Sequence, residues 1–149
     1  MLKRVHPVAA IIGFLTILTF WTSTAAAELS GSIQAITAVK QAIPWGFLLL
    51  LPALAITGAS GFNMAGGSIE PLVLAKKRRM PFIAGNGVLI LIPAALCLSA
   101  LASRGEFDGL FYGVQTVELI AGAVNLTLMS LNIRDGLRLT GRLRGKGSV

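Results

Sequence analysis

One apolar stretch of this chain carries a row of polar residues at helical spacing. Gln115, Glu118, Gly122, Asn125 and Met129 follow one another at intervals of three and four, so they share one face of a helix. Polar side chains in hydrocarbon need hydrogen-bonding partners. The spacing therefore predicts that this face points into a bundle of helices rather than toward lipid.

Glu118 is the residue of this face best suited to chemistry. It lies about eight residues from the outer end of its stretch, ~12 Å deep at 1.5 Å per residue. The linear sequence offers no Lys or Arg at that depth, so we expect a protonated, neutral carboxyl group. It could carry a proton, bind a cation or contact a bound cofactor. Alternatively, it is a structural acid hydrogen-bonded to Gln115, Thr16 or Thr19.

Asn86 and Asn125 lie at similar depths from the opposite, cytoplasmic end, ~6–9 Å by helical rise. They belong to two different apolar stretches, the third and the fourth. We expect them to hydrogen-bond to each other between the two helices, in a structural role.

A second group of residues could hold a haem. His6, Met64 and Met80 are all expected near the cytoplasmic interface, and a His/Met pair can ligate haem iron. Arg78 and Arg79 could then hold the propionates. Alternatively, His6 lies in the headgroup zone and the methionines pack helix ends, with no haem b bound.

The basic run Lys76, Lys77, Arg78 and Arg79 is the densest cluster of charge in the chain. Its simplest interpretation is a topology signal, because basic residues stay on the cytoplasmic side of a membrane. A binding site for anionic lipid headgroups is the alternative.

The elements that must position these residues are four apolar stretches of about 20 residues, each long enough to cross ~30 Å of hydrocarbon. Glu118 is the only charged residue within them. The predicted fold is an all-α integral membrane protein, a four-transmembrane-helix bundle in a single domain. The stretches are residues 8–27, 44–64, 82–103 and 110–131, and a basic tail follows at 132–149.

The charges between the stretches predict the orientation. Eleven basic residues flank the stretches on one side, and only Lys40 and Arg104 lie on the other. We therefore expect both termini to be cytoplasmic and the protein to lie in a bacterial inner membrane. The eleven are Lys3, Arg4, Lys76, Lys77, Arg78, Arg79, Arg134, Arg138, Arg142, Arg144 and Lys146.

Residues 1–27 also fit a signal peptide. Lys3 and Arg4 precede an apolar run that ends in three alanines before Glu28, and cleavage there would leave three crossings. The run is long for the apolar core of a signal peptide, so we expect the first helix to be retained.

The first connection has a periodic pattern of its own. Leu29, Ile33, Ile36, Val39 and Ile43 recur at spacings of three and four. This pattern predicts a short amphipathic helix on the periplasmic membrane surface, ending at Pro44.

Two faces of small residues accompany Pro52 and Pro93. Proline kinks a membrane helix, and small residues spaced four apart allow a second helix to approach closely. The faces are Ala53, Thr57 and Gly61 in the second stretch, and Ala95, Ser99 and Ser103 in the third.

Composition excludes several function classes. The chain has 149 residues, 54% of them hydrophobic, which leaves no room for a soluble enzyme domain. Cys97 and His6 are the only residues of their types, so no Cys or His metal cluster is expected. The net charge of +7 follows from topology and anionic lipid rather than from nucleic-acid binding.

Three functions remain open. We favour a non-enzymatic accessory or structural subunit that packs with itself or with a larger membrane complex, because the chain has small-residue faces and an unpaired acid and lacks a catalytic motif. The second is a b-type haem subunit for electron transfer that uses His6. The third is a small proton or cation conductor that uses Glu118.

Overall fold

The computed structural model of the chain describes residues 2–141, which contain helices and no strands. A π-helical segment joins α3 to α4, so these three elements form one continuous rod. Residues 2–141 thus form four helical rods, each long and apolar enough to cross a membrane. This confirms the predicted four-helix membrane architecture. The elements are α1 (Leu2–Ser30), α2 (Ile33–Ala65), α3 (Pro71–Asn86), the π-helical segment (Gly87–Leu91), α4 (Ile92–Ser103) and α5 (Gly109–Leu139).

The four rods pack side by side in a ring. α1 packs on α2 and α5, and the α3–α4 rod also packs on α2 and α5. Short connections make neighbouring rods antiparallel. We call the end with the start of α1, the connection 66–70 and the end of α5 the terminal end. The end with the turn 31–32 and the connection 104–108 is the distal end.

The prediction of a separate surface helix between the first two crossings is wrong. Ser32 caps α2 by accepting a hydrogen bond from the Ala35 N–H at 3.3 Å, and α2 then runs without a break through Pro44 and Pro52. The apolar stripe of residues 33–43 is therefore the first part of a long helix. Its inner positions, including Ile36 and Ile43, are buried against the bundle.

The helices are longer than their apolar stretches. α1 begins at Leu2 rather than near residue 8, and the third rod begins at Pro71 rather than near residue 82. Hydropathy marks only the hydrocarbon layer, whereas a helix can continue into the headgroup zone. The tail extends α5 as far as Leu139, and residues 142–149 lie outside the described part.

The π-helical segment lies directly before Pro93. Proline has no N–H to donate one turn back, and this disturbs the ladder of hydrogen bonds. Here the Ile92 N–H reaches five residues back, to the carbonyl oxygen of Gly87. The predicted irregularity at Pro93 is therefore a widened turn, a feature often found at functional sites.

Two apolar clusters fill the bundle. The distal apolar cluster includes Ala27, Ile36 and Phe111, and a second cluster toward the terminal end centres on Ile17, Leu50 and Met129. Along α1, α2 and α5, four polar residues lie between the two clusters in sequence: Thr24, Lys40, Gln115 and Glu118. The predicted small face of α2 is used inside the chain, since Ala53 is buried.

Candidate functional site

A buried ion pair crosses the interior of the bundle. Lys40 Nζ on α2 pairs with Glu118 Oε2 on α5 and donates to Thr24 Oγ1 on α1 at 3.4 Å. Lys40 is 1% exposed and the Glu118 side chain 11%. Within the described residues, α2 and α5 have no Cα atoms within 8 Å of each other. The long lysine side chain therefore spans the diagonal of the ring.

This pair corrects the sequence-based interpretation of Glu118. The charge pattern predicts that Lys40 belongs to a surface connection, but this residue lies on the buried face of α2 and contacts the acid. The carboxyl group thus has a basic partner and need not be neutral. Thr16 and Thr19, its other suggested partners, donate instead to carbonyl oxygens of their own helix at 2.8 Å.

Two further side chains bring unsatisfied polar atoms to the pair. Gln115, which is 3% exposed, lies one helical turn from Glu118, and its amide nitrogen and oxygen have no hydrogen-bond partner in residues 2–141. The same holds for Glu28 Oε1, one turn from Thr24 and within electrostatic range of the pair. We call Thr24, Glu28, Lys40, Gln115 and Glu118 the distal polar cluster.

The Lys40–Glu118 pair of the distal polar cluster lies between two barriers. On its distal side is the distal apolar cluster, where Phe111 is fully buried. On its other side, the Trp21 indole N–H donates to the Leu119 carbonyl oxygen at 2.9 Å and the ring lies against Gly122. The ion pair is therefore held between an aromatic-containing apolar layer and a tryptophan.

The predicted contact between Asn86 and Asn125 is confirmed. Asn86 Nδ2 donates to Asn125 Oδ1 at 2.9 Å and to the Ala121 carbonyl oxygen at 2.8 Å. Asn125 Nδ2 in turn donates to the Ile83 carbonyl oxygen at 3.3 Å. Each asparagine amide thus donates a hydrogen bond to a backbone carbonyl oxygen of the other helix. These bonds connect α3 to α5 beside the π-helical segment.

A second ion pair near the terminal end was missed by the sequence analysis. Arg79 Nη1 on α3 donates to Asp135 Oδ2 on α5 at 2.6 Å and to Asn132 Oδ1 at 3.3 Å. Asp135 is 1% exposed and also contacts Arg134. The sequence signal that could have predicted this ion pair is Asp135, the single acidic residue between Arg134 and Arg138.

The four residues of the basic run, Lys76 to Arg79, have different surroundings in the structure. Arg79 donates through Nη1 to Asp135 and Asn132, while its side chain stays 24% exposed. Lys77 Nζ donates to the Gly66 carbonyl oxygen at 2.8 Å and holds the end of α2. Lys76 Nζ lies over Gly136 of α5, 3.2 Å from where a Cβ would be. Arg78 is exposed.

The structure brings only some of the suggested haem ligands together. His6 Nδ1 lies 2.9 Å from Ser60 Oγ, within hydrogen-bond distance. His6 and Met80 both pack over Gly61. Met64, in contrast, is 47% exposed and is not part of this group.

No protein-family model matches the chain, and no curated protein or solved structure matches it either. Lys40 could have been found from the sequence, because it follows Ile36 by four residues and precedes Ile43 by three. That spacing places a cation on a buried apolar stripe.

Proposed function

We propose that this is a non-enzymatic integral membrane protein that moves small cations, protons included, across the bilayer through the distal polar cluster. The observation that carries the proposal is the Lys40–Glu118 pair inside an apolar bundle. A charged side chain at the centre of a membrane helix costs about 2.5–3.5 kcal/mol on insertion scales. Well-packed apolar side chains often stabilise a protein as much as a buried ion pair does. The pair is therefore better explained by function than by stability.

The unsatisfied atoms of the cluster support the same proposal. A buried amide or carboxylate oxygen without a partner costs about 1–3 kcal/mol. Gln115 offers both a donor and an acceptor, and Glu28 offers an acceptor, beside the ion pair. These groups would be satisfied by water or by a hydrated cation entering the cluster.

The proposal includes an orientation in a bacterial inner membrane with both termini cytoplasmic. Burial of Lys40 strengthens the charge asymmetry on which this orientation depends, because a buried lysine does not belong to a surface connection. At the distal end, the basic side chain outside the bundle core is Arg104, 61% exposed. The distal polar cluster would then lie in the outer half of the bundle.

Reconstitution into liposomes tests the proposal. Purified protein with an internal pH dye and an imposed potassium diffusion potential should show ion flux above that of empty liposomes. Glu118→Gln should abolish the flux. Glu106→Gln, an acid at the distal end that is 47% exposed, is the matched control and should conduct normally.

A double variant separates conduction from folding. Lys40→Met with Glu118→Leu removes both charges together and so leaves no unpaired ion. We expect it to fold and to be inactive. Flux in this variant equal to that of the unmodified protein would refute the proposal.

Association with a second copy or with a larger membrane complex is the second candidate, and one surface favours it. Gly113, Thr116, Ile120 and Thr127 are exposed on one side of α5. The threonine hydroxyls are bonded to their own helix. Small residues at such positions promote helix contact in membranes. Part of this side forms a shallow groove, lined by Ile120, Ala123, Val124, Thr127 and Leu128.

Cysteine cross-linking in membranes tests this second candidate. In a Cys97→Ser background, Ala123→Cys should form an intermolecular disulfide on mild oxidation. Val88→Cys, at a position 59% exposed on a different rod, is the control and should not. Equal cross-linking at both positions, or at neither, would exclude this face as the interface.

A b-type haem at His6 is the third candidate, favoured by the common position of His6 and Met80 over Gly61. Because Nδ1 is hydrogen-bonded to Ser60 Oγ, Nε2 is the nitrogen that could ligate iron. Purified protein would then show a Soret band that is lost in His6→Ala. A spectrum without that band would exclude this candidate.

A further inference from the structure

We infer that the cation is a proton rather than a metal ion, and that Glu28 is the acid that transfers it between outside water and the Lys40–Glu118 pair. This inference rests on the proposed function. It names the class of ion and adds one functional residue to the site.

Glu28 occupies the boundary between the cluster and the distal surface. It lies in the last turn of α1, and the next residue, Leu29, is 90% exposed. The residue as a whole is partly exposed, yet its Oε1 is buried and has no hydrogen-bond partner among the described residues. The Glu28 carboxylate thus has one buried oxygen, one helical turn from Thr24 of the cluster, while part of the residue remains accessible.

The composition of the cluster disfavours a metal ion. Na⁺, K⁺ and Ca²⁺ need several oxygen ligands, about six to eight for Ca²⁺. Here the carboxylate of Glu118 is already occupied by the Lys40 ammonium, which repels any second cation. The described residues also include no group of three or more His, Cys, Asp or Glu side chains able to hold a metal ion.

A proton can cross the same cluster without displacing Lys40. Water outside protonates the Glu28 carboxylate, and this proton then moves to the Glu118 carboxylate, so that Glu28 is ionised again. The Lys40 ammonium releases one proton to a water molecule on the inner side of the cluster, and the resulting amine takes up the proton held by Glu118. One proton enters, one leaves, and the ammonium–carboxylate pair is restored.

The groups around the cluster fit this route. Gln115 can donate and accept, so its amide can orient a water molecule between the acids. The titratable groups facing the cluster are Glu28 from α1, Lys40 from α2 and Glu118 from α5. On α4, the nearest is the Cys97 thiol, which packs against the distal apolar cluster.

The test is proton flux in the liposomes described above, with external pH varied and with ²²Na⁺ and ⁸⁶Rb⁺ uptake measured in parallel. We expect proton flux without tracer uptake. Glu28→Gln should slow proton flux about a hundredfold, the lower end of the range for loss of one acid–base group. Glu28→Asp should recover part of the rate, and Glu106→Gln should match the unmodified protein. Size-exclusion profiles should be alike for all four proteins.

The outcomes separate this inference from the proposed function. If the unmodified protein carries no ion, both the proposed function and the inference about Glu28 are refuted. If it carries protons and Glu28→Gln carries them equally fast, Glu28 is not the entry acid and the proposed function stands. Tracer uptake that is lost in Glu118→Gln would overturn the assignment to protons while supporting cation transport.

Discussion

The indole of Trp21 lies directly against Gly122, close enough that a Cβ on the glycine would be 2.8 Å from Trp21 Cδ1. The same ring donates its N–H to the carbonyl oxygen of Leu119, one turn earlier on α5. Trp21 therefore lies between the distal polar cluster and the Asn86–Asn125 pair.

Gly122→Ala should destabilise the protein because Trp21 cannot stay in place. Overpacking of this kind costs about 1–3 kcal/mol. Gly113→Ala is the matched control: it lies on the same helix in open space, where alanine should be neutral or favourable. Thermal unfolding in detergent measures both variants. Equal midpoints would contradict the described packing.

Lys40→Met alone should destabilise the protein strongly, because it leaves the Glu118 carboxylate buried without its cation. Breaking a buried pair from one side costs about 3–5 kcal/mol. Adding Glu118→Leu should restore most of the lost stability. Thermal unfolding of Lys40→Met, Glu118→Leu and the double variant gives the interaction free energy between the two side chains. Purely additive losses would mean that the two side chains do not interact.

Asp135→Asn should weaken the terminal end of the bundle. It removes the charge that holds Arg79 and Arg134, and a hydrogen bond to a charged group contributes about 1.5–3 kcal/mol. Glu70→Gln, an exposed acid that makes no side-chain cap to α3, should leave the unfolding midpoint unchanged. If both variants unfold alike, the pair between α3 and α5 adds no stability.

Reporter fusions test the proposed orientation. Fusions after Gly67 and Gly145 should report a cytoplasmic position, and fusions after Ser32 and Gly105 a periplasmic one, as the charge asymmetry predicts. Periplasmic signal at Gly67 would invert the proposed topology. A mature protein that begins near Glu28 would instead support cleavage of residues 1–27.

Local patterns in the sequence determined the helices and one contact between them. Hydropathy identified four apolar stretches, because the cost of exposing polar groups to hydrocarbon is set residue by residue. Helical periodicity identified the inward face with Gln115, Glu118 and Asn125. It also supported the pairing of Asn86 with Asn125, since both asparagines lay at matching depths in stretches joined by a short connection. Hydropathy did not determine the helix ends, because helices continue beyond the hydrocarbon layer.

Only the tertiary structure decided which charges meet. Lys40 and Glu118 are 78 residues apart in sequence, and Arg79 and Asp135 are 56 apart. Each pair depends on how two helices are rotated and how far they are shifted along the bundle axis. The rotation and the axial shift of each helix follow from the packing of all four rods, including the contact of Trp21 with Gly122. A local sequence pattern does not determine either quantity. The sequence therefore identified Glu118 as a buried acid, and the fold supplied its cation.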